Sequence, residues 1–225
     1  MSDVLSFSEK MRSRADEVWK AALNHRFFCE VATDSIDDRV FARYLRIEYG
    51  FVDTAAVALG YAVAKAPSFK ERRRLALGLY GLVTDQKGFF VDAFERMAVP
   101  AEARTGLAPQ GLSQPLHHLF LAVAEAESYE EILVCILAAE WLYLTWCSKA
   151  GRSPSTRAYI RDWVSLHAGG AFAEHVAWVR SEIDARGPDL SDARQARLME
   201  VFEQALAAEV TFHDAVYAPL RSPSR

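Results

Sequence analysis

The sequence predicts an all-α helical bundle, and three observations carry that prediction. Apolar residues recur at helical spacing through nearly every segment, capping signals precede most of the apolar runs, and strand-like alternation hardly appears. The chain has 225 residues, 51% of them apolar, enough for one well-buried core. No linker, internal repeat or low-complexity block divides it, so one domain is expected over residues 1–225, with 220–225 as a frayed tail.

The first predicted helix runs from Phe7 to Leu23 and ends near Asn24-His25. Ser35-Ile36-Asp37-Asp38 has the form of a capping start, and the stripe Phe41, Tyr44, Leu45, Phe51, Val52, Ala55, Leu59 follows it. Pro67-Ser68-Phe69-Lys70-Glu71 is sharper. Proline ends one helix, serine caps the next, and Glu71 completes the box. Ser128-Tyr129-Glu130-Glu131 repeats the pattern and opens the most apolar helix, Ile132 to Cys147. Those sixteen residues contain one charge and are short for a membrane span, which favours a core helix. Gly151 to Ser155 reads as a loop, and Gly169-Gly170 interrupts a helix that resumes at Ala171. After Gly187-Pro188, Ser191-Asp192 caps a last long helix to about Tyr217.

Composition narrows the function classes. The net charge of −4 and the scattered cations argue against a nucleic-acid surface, and Arg72, Arg73 and Arg74 read as a solvated helix face. Cys29, Cys135 and Cys147 form neither a CxxC nor a disulfide framework, and Met1 to Met11 lacks a signal-peptide pattern. A cytoplasmic protein is expected. No GxSxG elbow or phosphate-cradling glycine loop is present.

Three glutamates stand on faces that otherwise read as core. Glu140 is the lone charge in Ile132–Cys147. Glu48 follows Phe41 by seven and Tyr44 by four and precedes Phe51 by three, and Glu209 follows Phe202 by seven and Leu206 by three and precedes Phe212 by three. Burying an unpaired carboxylate costs roughly several kcal/mol. An arginine from a neighbouring helix would offset that for any one of them. Three together point to a use, either metal ligation or acid–base work on an organic ligand. The metal option lacks Glu-x-x-His pairs: Phe51 follows Glu48, Tyr143 follows Glu140, and only Glu209 has a histidine near, His213 at i+4. No metal and no cofactor is expected. His25 suits a haem ligand by position alone, and a capping or surface role explains it better. Cys135 and Cys147, on the apolar helix, read as small hydrophobes with raised pKa values.

Four segments carry a resemblance: Asn24-His25-Arg26-Phe27-Phe28, Ile36 to Phe51, Ala139-Glu140-Trp141-Leu142-Tyr143, and Glu209-x-x-Phe212-His213-Asp214-x-x-Tyr217. Together they resemble the TenA (thiaminase II) family over nearly the whole chain. The resemblance implies a haem-oxygenase-like helical bundle, a homotetramer, and a small-molecule pyrimidine substrate in thiamin salvage. It makes Glu209 the acid/base, Phe212 a wall of the pyrimidine site, and Glu48 the acid that reads the ring, where the family usually has Asp. Tyr44, Phe51, Tyr143 and His167 are the remaining expected substrate contacts, with Tyr143 orienting a carboxylate.

The departures are informative. Ala139 stands where the commoner branch has its attacking cysteine, and Glu140 stands where a second branch carries a glutamate. The chain looks like that second branch, whose members are linked to hydrolysis of amino- or formamido-pyrimidines, with thiamin cleavage itself in doubt. Phe51 and His167 replace two family tyrosines, and a third has no clear counterpart near Ser113–Leu116. The leading expectation is hydrolysis by water, with Glu209 and Glu140 as a coupled carboxylate pair. The alternative is a pyrimidine-binding or regulatory protein that kept the pocket and lost the chemistry.

Overall fold

The computed structural model describes residues 5–108 and 110–218, and the proposed 220–225 tail lies outside them. Among the described residues there are eleven α-helices and no strand: α1 Phe7–Arg14, α2 Asp16–Leu23, α3 Arg26–Ala32, α4 Asp38–Lys65, α5 Phe69–Gly81, α6 Lys87–Arg96, α7 Gln114–Ala126, α8 Tyr129–Ala150, α9 Ala158–Ala168, α10 Gly170–Arg186 and α11 Asp192–Tyr217. A π-helical turn, Leu82–Gln86, joins α5 to α6 without leaving helical backbone.

Local chemistry explains most boundaries. Asp37 caps α4 by accepting from the Arg39 amide at 2.8 Å, Ser68 caps α5, and Ser191 caps α11. His25 caps α3 through Nδ1, which accepts from the Phe27 amide at 3.1 Å. Two expectations need correction. The segment Phe7–Leu23 is two helices, broken at Ala15, which lies outside helical φ/ψ although no Gly or Pro marks the spot. Ser128 does precede α8, but its hydroxyl bonds to the Glu130 and Glu131 carboxylates and accepts from Arg194 at 2.6 Å instead of capping the backbone.

The core helix is α8. From Glu131 to Ala138 every residue is buried, and α11, α9 and α10 pack round it. It runs to Ala150, longer than the sixteen-residue apolar segment. Both α4 and α8 are long and apolar enough to cross a bilayer by length and composition, but most of α8's apolar surface is covered by the bundle. Glu131, 1% exposed, meets the Arg194 guanidinium at 2.9 Å, the ordinary fate of a buried acid in a helical protein.

Two contacts fix the frame of the cavity described below. Asp34, at φ 54°, accepts from Ser155, Thr156 and Arg157, and Arg157 also reaches Asp38, so the turn before α4 is tied to the entry of α9. On the other side, Leu107 donates to the Arg46 carbonyl at 2.8 Å where two glycines meet. A Cβ on Gly106 would lie 2.6 Å from Gly50 Cα, so the backbones can approach only without side chains.

Candidate active site

A cavity of about 450 Å³ opens between α4, α5, α8, α10 and α11. Its inner end is formed by Glu48 and Phe51 from α4, Tyr143 from α8, His167 from α9, and Glu209 and Phe212 from α11. Glu140 and His175 stand farther along, and Arg74, Asp85 and Gln86 border it from α5 and the π turn. One turn separates Glu48 from Phe51, and one separates Glu209 from Phe212, so each helix presents an acid and an aromatic ring together. Phe51 meets Phe212 edge to face with centroids 5.6 Å apart.

Glu48 is 6% exposed, and the Trp163 indole N–H donates to its Oε2 at 3.2 Å. Burial pushes its pKa up to about 7, against the opposing pull of hydrogen bonds from Tyr44 and Trp163. Glu209 is 2% exposed, and its Oε2 has no hydrogen-bond partner. Burial first, and the Glu48 charge second, push its pKa up to about 8. The two acids therefore compete for ionisation in one site, and among the described residues no lysine or arginine pairs with either as Arg194 pairs with Glu131. His167 donates from Nδ1 to the Trp163 carbonyl at 2.9 Å and turns Nε2 toward Glu48 Oε1, 3.8 Å away, too far for a hydrogen bond. Burial keeps it neutral, with a pKa of about 4.

The structure rearranges three expectations. Tyr44 is fully buried behind the wall and does not line the cavity, because its position one turn before Glu48 points its hydroxyl to the back of that carboxyl. Tyr143 does line it, but its hydroxyl lies 3.1 Å from Tyr44 Oη and 3.3 Å from His213 Nε2, so it orients no carboxylate directly. Glu140 is not the acid that perturbs Glu209. Its Oε2 stands 3.2 Å from His175 Nε2, ion-pair distance with the N–H out of line for a hydrogen bond, and the Glu140 charge raises the His175 pKa.

Sequence reasoning missed His175 and His117. Helix α10 has almost no amphipathic signal, so nothing marks the His175 face. His117 directly follows the Ser113–Leu116 stretch, where the third family tyrosine has no clear counterpart. Its Nδ1 lies 2.7 Å from Thr54 Oγ1, its Nε2 has no partner, and its ring meets Phe51 edge to face at 5.1 Å. Among the described residues no group of three or more His, Cys, Asp or Glu is placed to hold a metal ion. His213 bonds through both ring nitrogens, to the Glu209 carbonyl at 2.8 Å and to Tyr143, while His25 pairs with Asp214 at 3.1 Å. Ala139 lines the cavity, whereas Cys135 does not, and burial pushes the Cys135 thiol far up.

A family profile described as TENA/THI-4/PQQC matches residues 12–218, nearly the whole chain. The chain belongs to the TENA/THI-4/PQQC family. Among curated relatives, an aminopyrimidine aminohydrolase of Halalkalibacterium halodurans is 20% identical over 215 residues, covering 95% of this chain and 96% of that protein. The aminopyrimidine aminohydrolase of Bacillus subtilis is 20% identical over 214 residues, covering 95% and 90%. Among solved structures, a TenA homologue from Pyrococcus furiosus superposes with a TM-score of 0.85 at 20% identity, covering 94% of this chain and all of that one. The all-α, haem-oxygenase-like bundle expected from the TenA resemblance is the fold observed.

Proposed function

We propose that this TenA-family protein hydrolyses an aminomethyl- or formamidomethyl-pyrimidine derived from thiamin, using buried carboxylates and water rather than a thiolate. The observation that carries this reading is the pair Glu48 and Glu209, two buried acids with no lysine or arginine partner among the described residues, facing one cavity walled by Phe51 and Phe212. The aromatic rings take the pyrimidine faces, and Glu48 with its neighbour His167 offers a donor and acceptor edge to the ring nitrogen and amine. Ala139 at the cavity wall has no nucleophile to offer, which is the feature of the glutamate-bearing branch.

Glu209, neutral near pH 7, is the acid that protonates the leaving nitrogen. Glu140, 3.2 Å from His175 Nε2, is the base that takes a proton from water as its oxygen bonds to the methylene carbon and the carbon–nitrogen bond breaks. The products are the hydroxymethyl-pyrimidine and ammonia. A formamido substrate releases formamide by the same route. Exposed Phe69, Tyr80, Val83 and Val91 on and around α5 and α6 support assembly into a homotetramer, and the cysteine usage supports a cytoplasmic setting.

The test is incubation of the protein with 4-amino-5-aminomethyl-2-methylpyrimidine and its N-formyl form, following the hydroxymethyl product by NMR. Turnover is the expected result. Tight binding without turnover would leave the regulatory alternative, and no binding at millimolar concentration would end the pyrimidine reading.

A further inference from the structure

The hydrolytic reading uses the inner end of the cavity and leaves the opposite end without a role. The α4 wall runs from Glu48 to Leu59, about 16 Å at roughly 1.5 Å per residue, longer than an aminomethyl-pyrimidine. Helix α5 turns back along α4 after Pro67, so the lining residues of the two helices run in opposite order. Gln86 lies as far beyond Pro67 as Glu48 lies before it, which places Asp85 and Gln86 at the ring end. Arg74 returns to about the level of Leu59, at the far end.

Helix α10 repeats that order on the facing wall. Phe172 meets His167 beside the ring end, with centroids 5.4 Å apart. One turn on, His175 Nε2 stands 3.2 Å from Glu140, and a Cβ on Gly78 of α5 would touch the His175 ring at 3.5 Å. One turn farther, the Trp178 ring lies 6.0 Å from the Arg74 guanidinium carbon. The solvated face expected of Arg72, Arg73 and Arg74 therefore loses its last member. Arg72 turns to the Val63 and Ala66 carbonyls and Arg73 is exposed, whereas Arg74 is partly buried and lines the cavity. Among the described residues it is the only lysine or arginine that does so. The other lining acids do not engage it: Glu140 faces His175, and Asp85 stands at the ring end beside Thr84.

A guanidinium beside the apolar Leu59 and Leu77 is a ready partner for an anion. It bonds a carboxylate through two parallel N–H groups, and one cation balances the single charge of a carboxylate but not the nearly double charge of a phosphate. We infer that Arg74 binds a carboxylate at the end of the substrate's tail, so that the substrate is an aminomethyl-pyrimidine acylated on its amine by a short diacid such as succinate; the inference rests on the pyrimidine reading of the inner end. The ring sits against Glu48, the acyl chain passes Glu140 and His175, and its carboxylate reaches Arg74. The bond broken is the same carbon–nitrogen bond. The water oxygen joins the methylene carbon, Glu140 takes the water proton, the acylated nitrogen takes the Glu209 proton, and the monoamide of the diacid leaves.

The test is calorimetric binding of three ligands to the parent protein and to Arg74→Met and Arg74→Gln. The ligands are 4-amino-5-aminomethyl-2-methylpyrimidine, its N-butyryl form and its N-succinyl form. The two acyl chains are equal in carbon number and differ in the terminal carboxylate. The parent should bind the succinyl form about 10-fold or more tighter than the butyryl form, the worth of a charge-assisted hydrogen bond. Both variants should lose that preference while keeping the parental melting temperature and affinity for the unacylated pyrimidine. Equal affinities for the two acyl forms in the parent would overturn the assignment, and so would a preference that survives in the variants. Binding of the unacylated pyrimidine with rejection of both acyl forms would also overturn it, and would leave the hydrolytic reading standing. Failure of all three ligands to bind would remove the pyrimidine reading and the role of Arg74 with it.

Discussion

Replacing Glu209 by glutamine keeps the size of the side chain and removes its charge, so the variant should resist alkali better than the parent. A buried carboxyl with a raised pKa binds its proton more tightly in the folded than in the unfolded chain. Its contribution is fully present below the unfolded value of about 4.5 and is lost as pH rises through the folded value of about 8. At about 1.4 kcal/mol per tenfold change in proton affinity, that loss is roughly 5 kcal/mol in all, of which roughly 2 kcal/mol falls between pH 6.5 and 8. For a chain of this size, about 2 kcal/mol corresponds to roughly 4–8 °C in melting temperature. The neutral histidines His117, His167 and His213 act in the opposite sense. Their folded pKa values lie below the ordinary range, so their contribution is present above about pH 6.5 and is lost as pH falls toward 4. The parent should therefore be most stable near pH 6.5. Melting curves from pH 5 to 9.5 should show Glu209→Gln losing about 4–8 °C less than the parent between pH 6.5 and 9. Parallel curves would refute the claim that Glu209 is held neutral by burial.

Other outcomes follow from the same geometry. Glu48→Gln should weaken pyrimidine binding more than it slows turnover, read as a split between Kd by calorimetry and kcat. Cys135→Ser and Cys147→Ser should keep the hydrolytic rate and thiamin cleavage should stay weak or absent; loss of activity tracking iodoacetamide labelling of Cys135 would contradict this. Gly106→Ala should cost about 1–3 kcal/mol in urea melts, since its Cβ would sit 2.6 Å from Gly50 Cα, and an unchanged midpoint would mean that the loop is free to move.

The helices were legible because their ends are written in local chemistry: Asp37, Ser68 and Ser191 each bond a backbone amide in the first turn of the next helix. The break at Ala15 was not, because it carries no Gly or Pro and follows from how α1 and α2 pack. The acids at 48 and 209 stood out as charges on apolar stripes, and both face the cavity. Their coupling to one another was hidden, since a stripe shows which face is inward but not which helix it meets. That is why Glu140 was expected opposite Glu209 and is found with His175 instead. By the same limit, Glu131 offered no sign that Arg194, 63 residues away, would offset its burial. Tyr44 read as a pocket residue because it shares the Glu48 stripe, yet one helical turn carried it behind the wall.

The most direct measurement is the turnover of 4-amino-5-aminomethyl-2-methylpyrimidine by the parent and by Glu209→Gln at pH 7, with ligand affinity measured on both. Glutamine fills the same space but cannot give up a proton to the leaving ammonia. The account predicts kcat lower by about 100-fold or more with affinity nearly unchanged. Hydrolysis by Glu209→Gln at the parental rate would contradict it.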